Sequence, residues 1–147
     1  MILNQDFREF IALLNKHKVR YLLIGGYAVA LHGHPRYTKD LDIWIWMDNA
    51  NAERLCTALK EFGFSPLDIT PEDFLELDRI IQLGYPPNRI DLMTSPHGVD
   101  FETCFSSRKE IDLDGLKINL IDLENLRINK RATGRHQDLA DLENLTE

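Results

Sequence analysis

The sequence predicts a layered fold of helices and strands, α/β or α+β, rather than a helical bundle. Strand-like apolar runs alternate with amphipathic helical segments along the first half of the chain, an order that favours such layers. Two later pairs of apolar runs are each joined by turn residues, which is typical of β-hairpins. The 147 residues contain no repeat, linker or low-complexity tract, so we expect one domain with its own core.

In the first half of the chain, the predicted elements are a helix over 4–17, a strand over Tyr21–Ile24, a short helix over Ala28–Leu31, a strand over Asp40–Trp46 and a helix over Ala50–Phe62. Asn4 is the expected N-cap of the first helix, and Asp48 or Asn49 is that of the last. Gly25 and Gly26 form the expected turn between the first strand and the short helix.

In the second half, the predicted elements are a short helix from Pro71 to about Leu77, a hairpin of Ile80–Leu83 with Arg89–Met93, a short helix over Phe101–Ser107, a hairpin of Lys109–Leu113 with Leu116–Leu120, and helices over Asp122–Thr133 and Arg135–Leu145. The Gly- and Pro-rich segment 84–88 is the expected turn of the first hairpin, and Asp114-Gly115 is a strong turn signal for the second. In the last helix we expect Leu139, Leu142 and Leu145 to face the core.

Composition and charge argue against some classes of protein. The formal net charge is −7, so no global basic field holds nucleic acid, and a polyanionic partner would need a local patch or metal ions. Cys56 and Cys104 are too few for a zinc site or a disulfide scaffold, which fits a reducing compartment. The N-terminal segment has no signal-peptide core, and no apolar run approaches the ~20 residues that span a bilayer. We therefore expect a cytoplasmic protein without a membrane partner.

Three carboxylates stand out from their apolar surroundings. Asp40 and Asp42 are two residues apart in a predicted strand, so strand alternation places them on one face. Asp91 lies mid-strand between Ile90 and Leu92, where a charge is costly unless it is paired or bound to a metal. If the two strands are neighbours, the three acids converge, and such oxygen ligands suit Mg²⁺ or Mn²⁺. Two ions roughly 3.5–4 Å apart would stabilise the attacking and leaving oxygens of a phosphoryl or nucleotidyl transfer.

Each of these features also has a structural interpretation. Gly25-Gly26 before a helix can present backbone N–H groups to a phosphate, or it can be a plain turn. The Asp-x-Asp pair could cap and solvate a sheet edge, and Asp91 could pair with Arg89 or Arg79. Their order and spacing together favour a functional site. Residues that we expect to serve packing or the loop rather than the chemistry are Trp44, Trp46, His32 and His34.

The arrangement resembles a known superfamily. An apolar run before Gly25-Gly26, then Asp40-Leu41-Asp42-Ile43, and later Ile90-Asp91-Leu92, is similar to the nucleotidyltransferases of the DNA polymerase beta type. More narrowly, segments 36–42 and 130–139 resemble the R-x-T-x-D-L-D and K-x-x-x-G-R-x-x-D-L signatures of small stand-alone prokaryotic members (AbiEii-like), found in toxin–antitoxin or abortive-infection systems. The resemblance covers about Lys18 to Leu145. It implies an α+β fold with a mixed β-sheet of about 4–6 strands, helices packed on one face and a C-terminal helical pair.

The resemblance also implies roles for individual residues. Catalysis and metal binding fall to Asp40, Asp42 and Asp91, and nucleotide binding falls to Gly25, Gly26, Arg36, Thr38 and Lys130. In that assignment Asp91 also activates the acceptor hydroxyl, and Lys130 contacts the triphosphate. Arg36 and Thr38 shape the pocket or hold phosphate. For Lys130 and Arg135 the sequence leaves a second interpretation open, since a basic helix is often a solvated face and cations near a helix end favour its dipole.

The function that the resemblance implies is a nucleotidyltransferase dependent on Mg²⁺ or Mn²⁺. It would move a nucleoside monophosphate from a nucleoside triphosphate to a hydroxyl of a macromolecular acceptor, protein or RNA, and release pyrophosphate. A toxin–antitoxin system is one expected setting. Two alternatives stay open: a catalytically silent member that binds a nucleotide or a partner protein, and, less well matched by the spacing, a phosphohydrolase.

Overall fold

The structure, a computed structural model, describes residues 3–63, 69–84 and 88–145. Within them the predicted alternation of helices and strands is confirmed. The elements are α1 (Gln5–Lys16), β1 (Tyr21–Ile24), α2 (Gly25–Leu31), β2 (Leu41–Ile45), α3 (Asn49–Phe62), β3 (Ile80–Leu83), β4 (Ile90–Met93), α4 (Phe101–Ser106), β5 (Lys109–Leu113), β6 (Leu116–Leu120), α5 (Leu123–Thr133) and α6 (His136–Asn144).

The six strands form one mixed sheet in the order β3-β4-β2-β1-β6-β5. The hairpins β3–β4 and β5–β6 are antiparallel, as is the pair β1–β2. The pairs β2–β4 and β1–β6 are parallel, so the chain crosses over between them. With α5 and α6 as neighbouring C-terminal helices, this confirms the predicted α+β fold with a mixed sheet. The parallel β2–β4 pair contains the predicted catalytic acids. Asp42 lies in β2, Asp40 directly precedes that strand, and Asp91 lies in β4.

Local sequence signals explain where the elements begin and end. Asn4, Asp48 and Asp122 each accept a hydrogen bond from a backbone N–H in the first turn of the helix that they cap, at 2.8, 3.2 and 3.4 Å. Asp114 (φ 52°) and Gly115 (φ 88°) both adopt positive φ, which is the conformation of a type I′ hairpin turn. Of the predicted turn 84–88 in the other hairpin, residues 85–87 lie outside the described residues.

The core packs on both sides of the central strand. All four residues of β1 are buried, and α1 and α3 contact each other beside the sheet. On the face that carries Asp42, Trp44 is buried, donates from its indole N–H to the carbonyl of Thr94 at 3.1 Å and meets Phe101 edge-on. Trp46 stacks on Phe101 at 5.2 Å between ring centroids, so the prediction that both tryptophans serve packing is confirmed.

Three element boundaries differ from the sequence prediction. No separate turn follows β1, because α2 begins at Gly25 itself. The strand that follows starts at Leu41, which leaves Asp40 just ahead of it. The helix predicted from Pro71 to about Leu77 is a single 3-10 turn, Pro71–Phe74, in which the Asp73 side chain accepts from the backbone N–H of Thr70 at 2.9 Å. The N-cap predicted at Thr70 is confirmed, but Phe74 is the only buried residue of this turn.

The inward face predicted for α6 is wrong at one position. Leu139 is 49% exposed, whereas Leu145 is buried. The buried positions within α6 are instead Asp138 and Asp141. Their ion pairs with cations of neighbouring elements set the orientation of the helix, and this requirement prevails over the burial of a leucine. Helices of the described segments are too short or too polar to cross a membrane.

Candidate active site

The glycines at the junction of β1 and α2 leave room for other side chains of the site. Gly25 has φ 72°, and a Cβ added there would overlap the carboxylate of Asp42. A Cβ on Gly26 would lie 2.8 Å from Thr38 Cγ2 and 2.9 Å from a guanidinium nitrogen of Arg36. Gly25 therefore lies against Asp42, and Gly26 lies against Thr38 and Arg36. All five are predicted site residues. The glycines are needed for this close packing whether or not they also meet a phosphate.

Asp42 and Asp91 lie side by side, as the sequence predicts on the condition that their strands are neighbours. They are register partners in the parallel β2–β4 pair. Burial raises the pKa of Asp42 to about 7, and the negative charge of Asp91 adds to the shift, while Lys130 opposes it. Asp91 is itself buried. Two neighbouring carboxylates, one of them with a pKa raised mainly by burial, are a common signature of functional sites.

Arg89 connects the third acid to this pair. Its Nε donates to Asp91 Oδ1 at 2.8 Å, and its Nη2 donates to Asp91 Oδ2 at 3.2 Å and to Asp40 Oδ2 at 3.0 Å. The structural alternative for Asp91, an ion pair with Arg89, is therefore present in the structure. Arg79 pairs with Asp73 and Glu76 instead. Asp91 thus lies between the guanidinium of Arg89 and the carboxylate of Asp42. The carboxylate oxygens that form the ion pair with Arg89 are the same oxygens that the predicted metal site would use.

The donor set suits a hard divalent cation, although the described residues contain no group of three or more acidic, His or Cys side chains that could hold a metal ion as they stand. The guanidinium of Arg89 pairs with both Asp40 and Asp91. The cluster therefore already attracts a positive charge to its carboxylate oxygens. Asp40, Asp42 and Asp91 would hold Mg²⁺ or Mn²⁺ if Arg89 moved aside.

Lys130 and Arg36 are both held by carboxylates of α6. The ammonium of Lys130 is buried and lies 3.0 Å from an oxygen of Asp138 and 3.0 Å from an oxygen of Asp141. Arg36 donates to both oxygens of Asp141, at 2.8 and 3.1 Å. Lys130 is thus not on a solvated face, and its charge reaches Asp42, whose pKa it lowers. The predicted role of both cations in binding nucleotide remains a prediction.

A cavity of about 390 Å³ opens beside Asp42. Gly25 and Asp42 line one end of it, and Lys130 and Arg135 line the wall formed by α5 and α6. The lining also includes Ile80 of β3 and the segment 95–97, which Asn129 fixes through a 2.9 Å hydrogen bond to the carbonyl of His97. The cavity therefore combines carboxylates with basic side chains, a combination suited to a phosphate ester that carries its own metal.

Asp138 is part of the K-x-x-x-G-R-x-x-D-L resemblance but has no predicted role, and Asp141 is not singled out by the sequence. A further signal is the i, i+3 spacing of the two acids on one helical face, which the leucines of the same helix obscure. The sequence predicts His32 to be a loop residue rather than a ligand, and its Nε2 lies 2.7 Å from the carbonyl oxygen of Ile121.

Comparison with known proteins gives a family and a fold. Residues 3–146 match the sequence profile of a family described as nucleotidyltransferase of unknown function (DUF6036). No curated protein sequence matches the chain.

Several solved structures resemble this one. The lincosamide antibiotic adenylyltransferase LnuA, in its lincomycin-bound structure, superposes with a TM-score of 0.65 at 19% identity, over 99% of this chain and 98% of LnuA. A candidate nucleotidyltransferase from Thermotoga maritima gives 0.62 at 18% identity, over 94% and 88% of the two chains. An antigenic nucleotidyltransferase-like protein from Paracoccidioides brasiliensis gives 0.60 at 18% identity, over 97% and 77%. At these identities the likeness establishes the fold alone.

Proposed function

The chain belongs to this family of nucleotidyltransferases, and we propose that it moves a nucleoside monophosphate from a nucleoside triphosphate to an acceptor hydroxyl, with Mg²⁺ or Mn²⁺ as cofactor. The observation that carries the proposal is the register pairing of Asp91 with Asp42, the acid that lines the cavity. Bound there, the metal would supply charge stabilisation for the phosphoryl oxygens.

Individual residues of the chain have separate roles in the proposed reaction. Asp91 accepts the proton of the acceptor hydroxyl, whose oxygen forms a bond to the α-phosphorus. The bond from that phosphorus to the oxygen bridging to the β-phosphorus breaks, and pyrophosphate leaves with the electron pair. Gly25 and Gly26 border the triphosphate, because no side chain blocks its approach there. Lys130 and Arg135 line the wall of the cavity and offer positive charge to the phosphates.

The acceptor in this proposal is a macromolecule, either a protein or an RNA. A cavity of about 390 Å³ suits a nucleotide and leaves the acceptor to approach from outside. The net charge of −7 favours a protein over free RNA. The resemblance of segment 36–42 to toxin–antitoxin-associated members supports a partner protein within such a system as the first acceptor to test.

A small-molecule acceptor is a second candidate. LnuA is named for the adenylylation of lincosamide antibiotics, and 98% of its chain is covered by the fold of this one. A chain of this length therefore need not use a macromolecular acceptor. The same likeness makes ATP the first nucleotide to test.

A catalytically silent binding protein is also favoured by one observation. Arg89 already forms ion pairs with both Asp40 and Asp91 within the chain. If Arg89 stayed in place, the cavity could still bind a triphosphate through Lys130 and Arg135 but would transfer nothing.

The test is an assay with each α-³²P-labelled nucleoside triphosphate, Mg²⁺ and a lysate of the source cells as acceptor. We expect pyrophosphate release and a labelled protein or RNA band, both lost with EDTA and in Asp42→Asn. Asp6→Asn, the same change on an exposed helical residue, is the matched control and should retain the activity. Transfer that persists in Asp42→Asn would refute the assignment. Triphosphate binding without pyrophosphate release would identify the silent member, and a labelled small molecule would identify the second acceptor class.

A further inference from the structure

We propose that Asp138 and Asp141, on the inward face of α6, are the positioning residues of the site. Asp141 fixes the segment that leads into the catalytic acids, and both carboxylates fix the ammonium of Lys130. The inference rests on the proposed function for what the site binds. Its structural part, that α6 orders the site, rests on contacts between described residues alone.

Asp141 makes four polar contacts while its side chain has no exposed surface. It accepts from Arg36 Nε at 2.8 Å and from Arg36 Nη2 at 3.1 Å, a bidentate pair. It lies 3.0 Å from Lys130 Nζ and accepts from Gln137 Nε2 at 2.9 Å. These donors come from three separate parts of the chain, so one carboxylate joins α5, α6 and the segment before β2.

Asp138 completes the cage around the lysine. One of its oxygens lies 3.0 Å from Lys130 Nζ. The other accepts from Arg135 Nε at 2.8 Å and from the backbone N–H of Arg135 at 3.2 Å. Hydrogen bonds from Arg135, Thr133 and Lys130 lower the pKa of Asp138 against the opposing effect of burial. Lys130 is therefore held between two ionised carboxylates and has little freedom to rotate.

The segment before β2 is anchored at two points. Arg36 is bound by Asp141 across 105 positions of sequence. Thr38 and Arg36 both pack against the glycine face at Gly26, and Asp40 and Asp42 follow directly. The contacts Asp141–Arg36–Gly26 thus connect α6 with the start of α2. Because Asp40 follows Thr38 by two residues, a loss of the Asp141 contact should release the approach to the first catalytic acid.

The charges of the network support a binding role rather than a purely structural one. Three cations, Arg36, Lys130 and Arg135, meet two carboxylates, so one positive charge is left uncompensated within the group. Lys130 and Arg135 line the same cavity as Asp42, so this excess charge lies on the wall that faces the acid. A triphosphate would add the anion that the network lacks.

A stabilising helix would not need this arrangement. A buried ion pair is often no more stable than apolar residues of similar volume, because both charges must be taken out of water. Yet α6 leaves Leu139 half exposed and buries two acids. The chain therefore retains charges where leucines would suffice for packing, and the groups that those charges orient are the predicted nucleotide-binding residues Lys130 and Arg36.

The test compares Asp141→Asn with the wild-type protein at a temperature where both are fully folded. Glu53→Gln, the same chemical change on an exposed position of α3, is the control. Hydrogen exchange of segment 33–41 should accelerate, and the Kd for Mg²⁺–ATP from calorimetry should rise, each about 10- to 100-fold, as when a partner that orients a functional ligand is removed. The ATP measurement is decisive, because a merely structural role would leave the Kd of the folded protein unchanged.

If Asp141→Asn does not fold, Arg36→Gln replaces it, since Asp141 then keeps Lys130 and Gln137 as partners. In that variant the exchange of segment 33–41 should accelerate in the same way. Unchanged exchange of segment 33–41, or a Kd within about twofold of the wild type in a folded Asp141→Asn, would overturn the inference. If the wild type binds no triphosphate, the proposed function fails, and the exchange measurement alone decides whether α6 orders the site.

Discussion

At the scale of single residues, Arg89 is the cation that contacts two of the three acids of the site directly. Its guanidinium is within 3.2 Å of Asp91 and 3.0 Å of Asp40, where the proposed metal would need oxygen ligands. In the proposed site, a divalent cation would therefore compete with Arg89 for the same atoms. The spacing of Arg89 and Asp91 indicates the first of these contacts, since residues two apart on a strand lie on one face. It did not show that Arg89 also reaches Asp40, because that contact depends on how β2 and β4 pair.

Replacing Arg89 should strengthen metal binding and weaken the metal-free fold. In Arg89→Gln, the carboxylates of Asp40 and Asp91 lose their counter-ion, so we expect Mn²⁺ to bind about tenfold more tightly and the free energy of unfolding in EDTA to fall. Calorimetric titration with Mn²⁺ and urea unfolding measure the two effects. Arg54→Gln, on the exposed side of α3, is the control. Equal or weaker Mn²⁺ binding in Arg89→Gln would contradict the competition.

Asp42 should make the metal-free protein less stable as the pH rises. The folded protein raises the pKa of Asp42 from 3.8 to about 7, so the folded state keeps a proton that the unfolded chain has lost. The contribution of this group to stability therefore falls between about pH 4 and pH 7, by up to about 4 kcal/mol. In Asp42→Asn this slope should flatten, as urea unfolding in EDTA from pH 4 to 8 would show. Parallel slopes in the two proteins would contradict the shift.

The carboxylates of α6 act in the opposite direction and in another pH range. Their cationic partners lower the pKa of Asp138 and of Asp141, so these groups stabilise the fold above about pH 4 and lose that effect as the pH falls further. The pH range in which Asp138 and Asp141 change the stability therefore lies below the range in which Asp42 does.

At the scale of elements, the junction of β1 and α2 was only partly predictable. The Gly25-Gly26 pair correctly marked the end of the strand, but the sequence could not show what the missing side chains make room for. Gly25 admits the Asp42 carboxylate, and Gly26 admits Thr38 and Arg36. Both contacts involve residues at least ten positions away along the chain, so they follow from the pairing of β1 with β2.

Gly25→Ala should therefore cost more than the strain of its backbone conformation. Gly33 also has a positive φ, 99°, but a Cβ there would meet open space. We expect Gly33→Ala to lose about 1–2 kcal/mol of unfolding free energy, and Gly25→Ala to lose more, because its Cβ also displaces Asp42. Urea unfolding compares the two variants. Equal losses would show that Asp42 does not lie against Gly25.

The apolar face of α6 is the clearest failure of pattern reading. Three leucines at helical spacing predicted an inward face, but the ion pairs of Asp138 and Asp141 turn Leu139 outward. The periodicity of apolar residues contains no information on acids whose partners lie far away in sequence. Asp141 and Arg36 are 105 positions apart.

The two leucines should respond differently to substitution. Leu139→Gln should change the free energy of unfolding by no more than about 0.5 kcal/mol, as for an exposed surface position. Leu145→Ala should lower it by about 2–5 kcal/mol, because that side chain is fully buried. Thermal or urea unfolding of both variants provides the check. A large loss in Leu139→Gln would mean that α6 is rotated relative to the structure described.

At the scale of the whole molecule, local signals predicted the elements and long-range pairing decided the site. Caps, hairpin turns and apolar runs lie within a few residues of one another, and most of them are confirmed. The strand order β3-β4-β2-β1-β6-β5 is not local, and no pattern in the chain states it. The convergence of Asp42 and Asp91 could thus be predicted only on the condition that their strands are neighbours, which the structure meets.

The central claim is that Asp40, Asp42 and Asp91 form a metal-dependent nucleotide site. The most direct test is calorimetric titration of ATP, GTP, CTP and UTP into the protein, with Mg²⁺ and with EDTA. Asp91→Asn and the control Asp6→Asn are measured alongside. We expect at least one nucleotide to bind only with Mg²⁺, and we expect this binding to be lost in Asp91→Asn and kept in Asp6→Asn. Binding that is equal with EDTA, or equal in Asp91→Asn, would contradict the central claim.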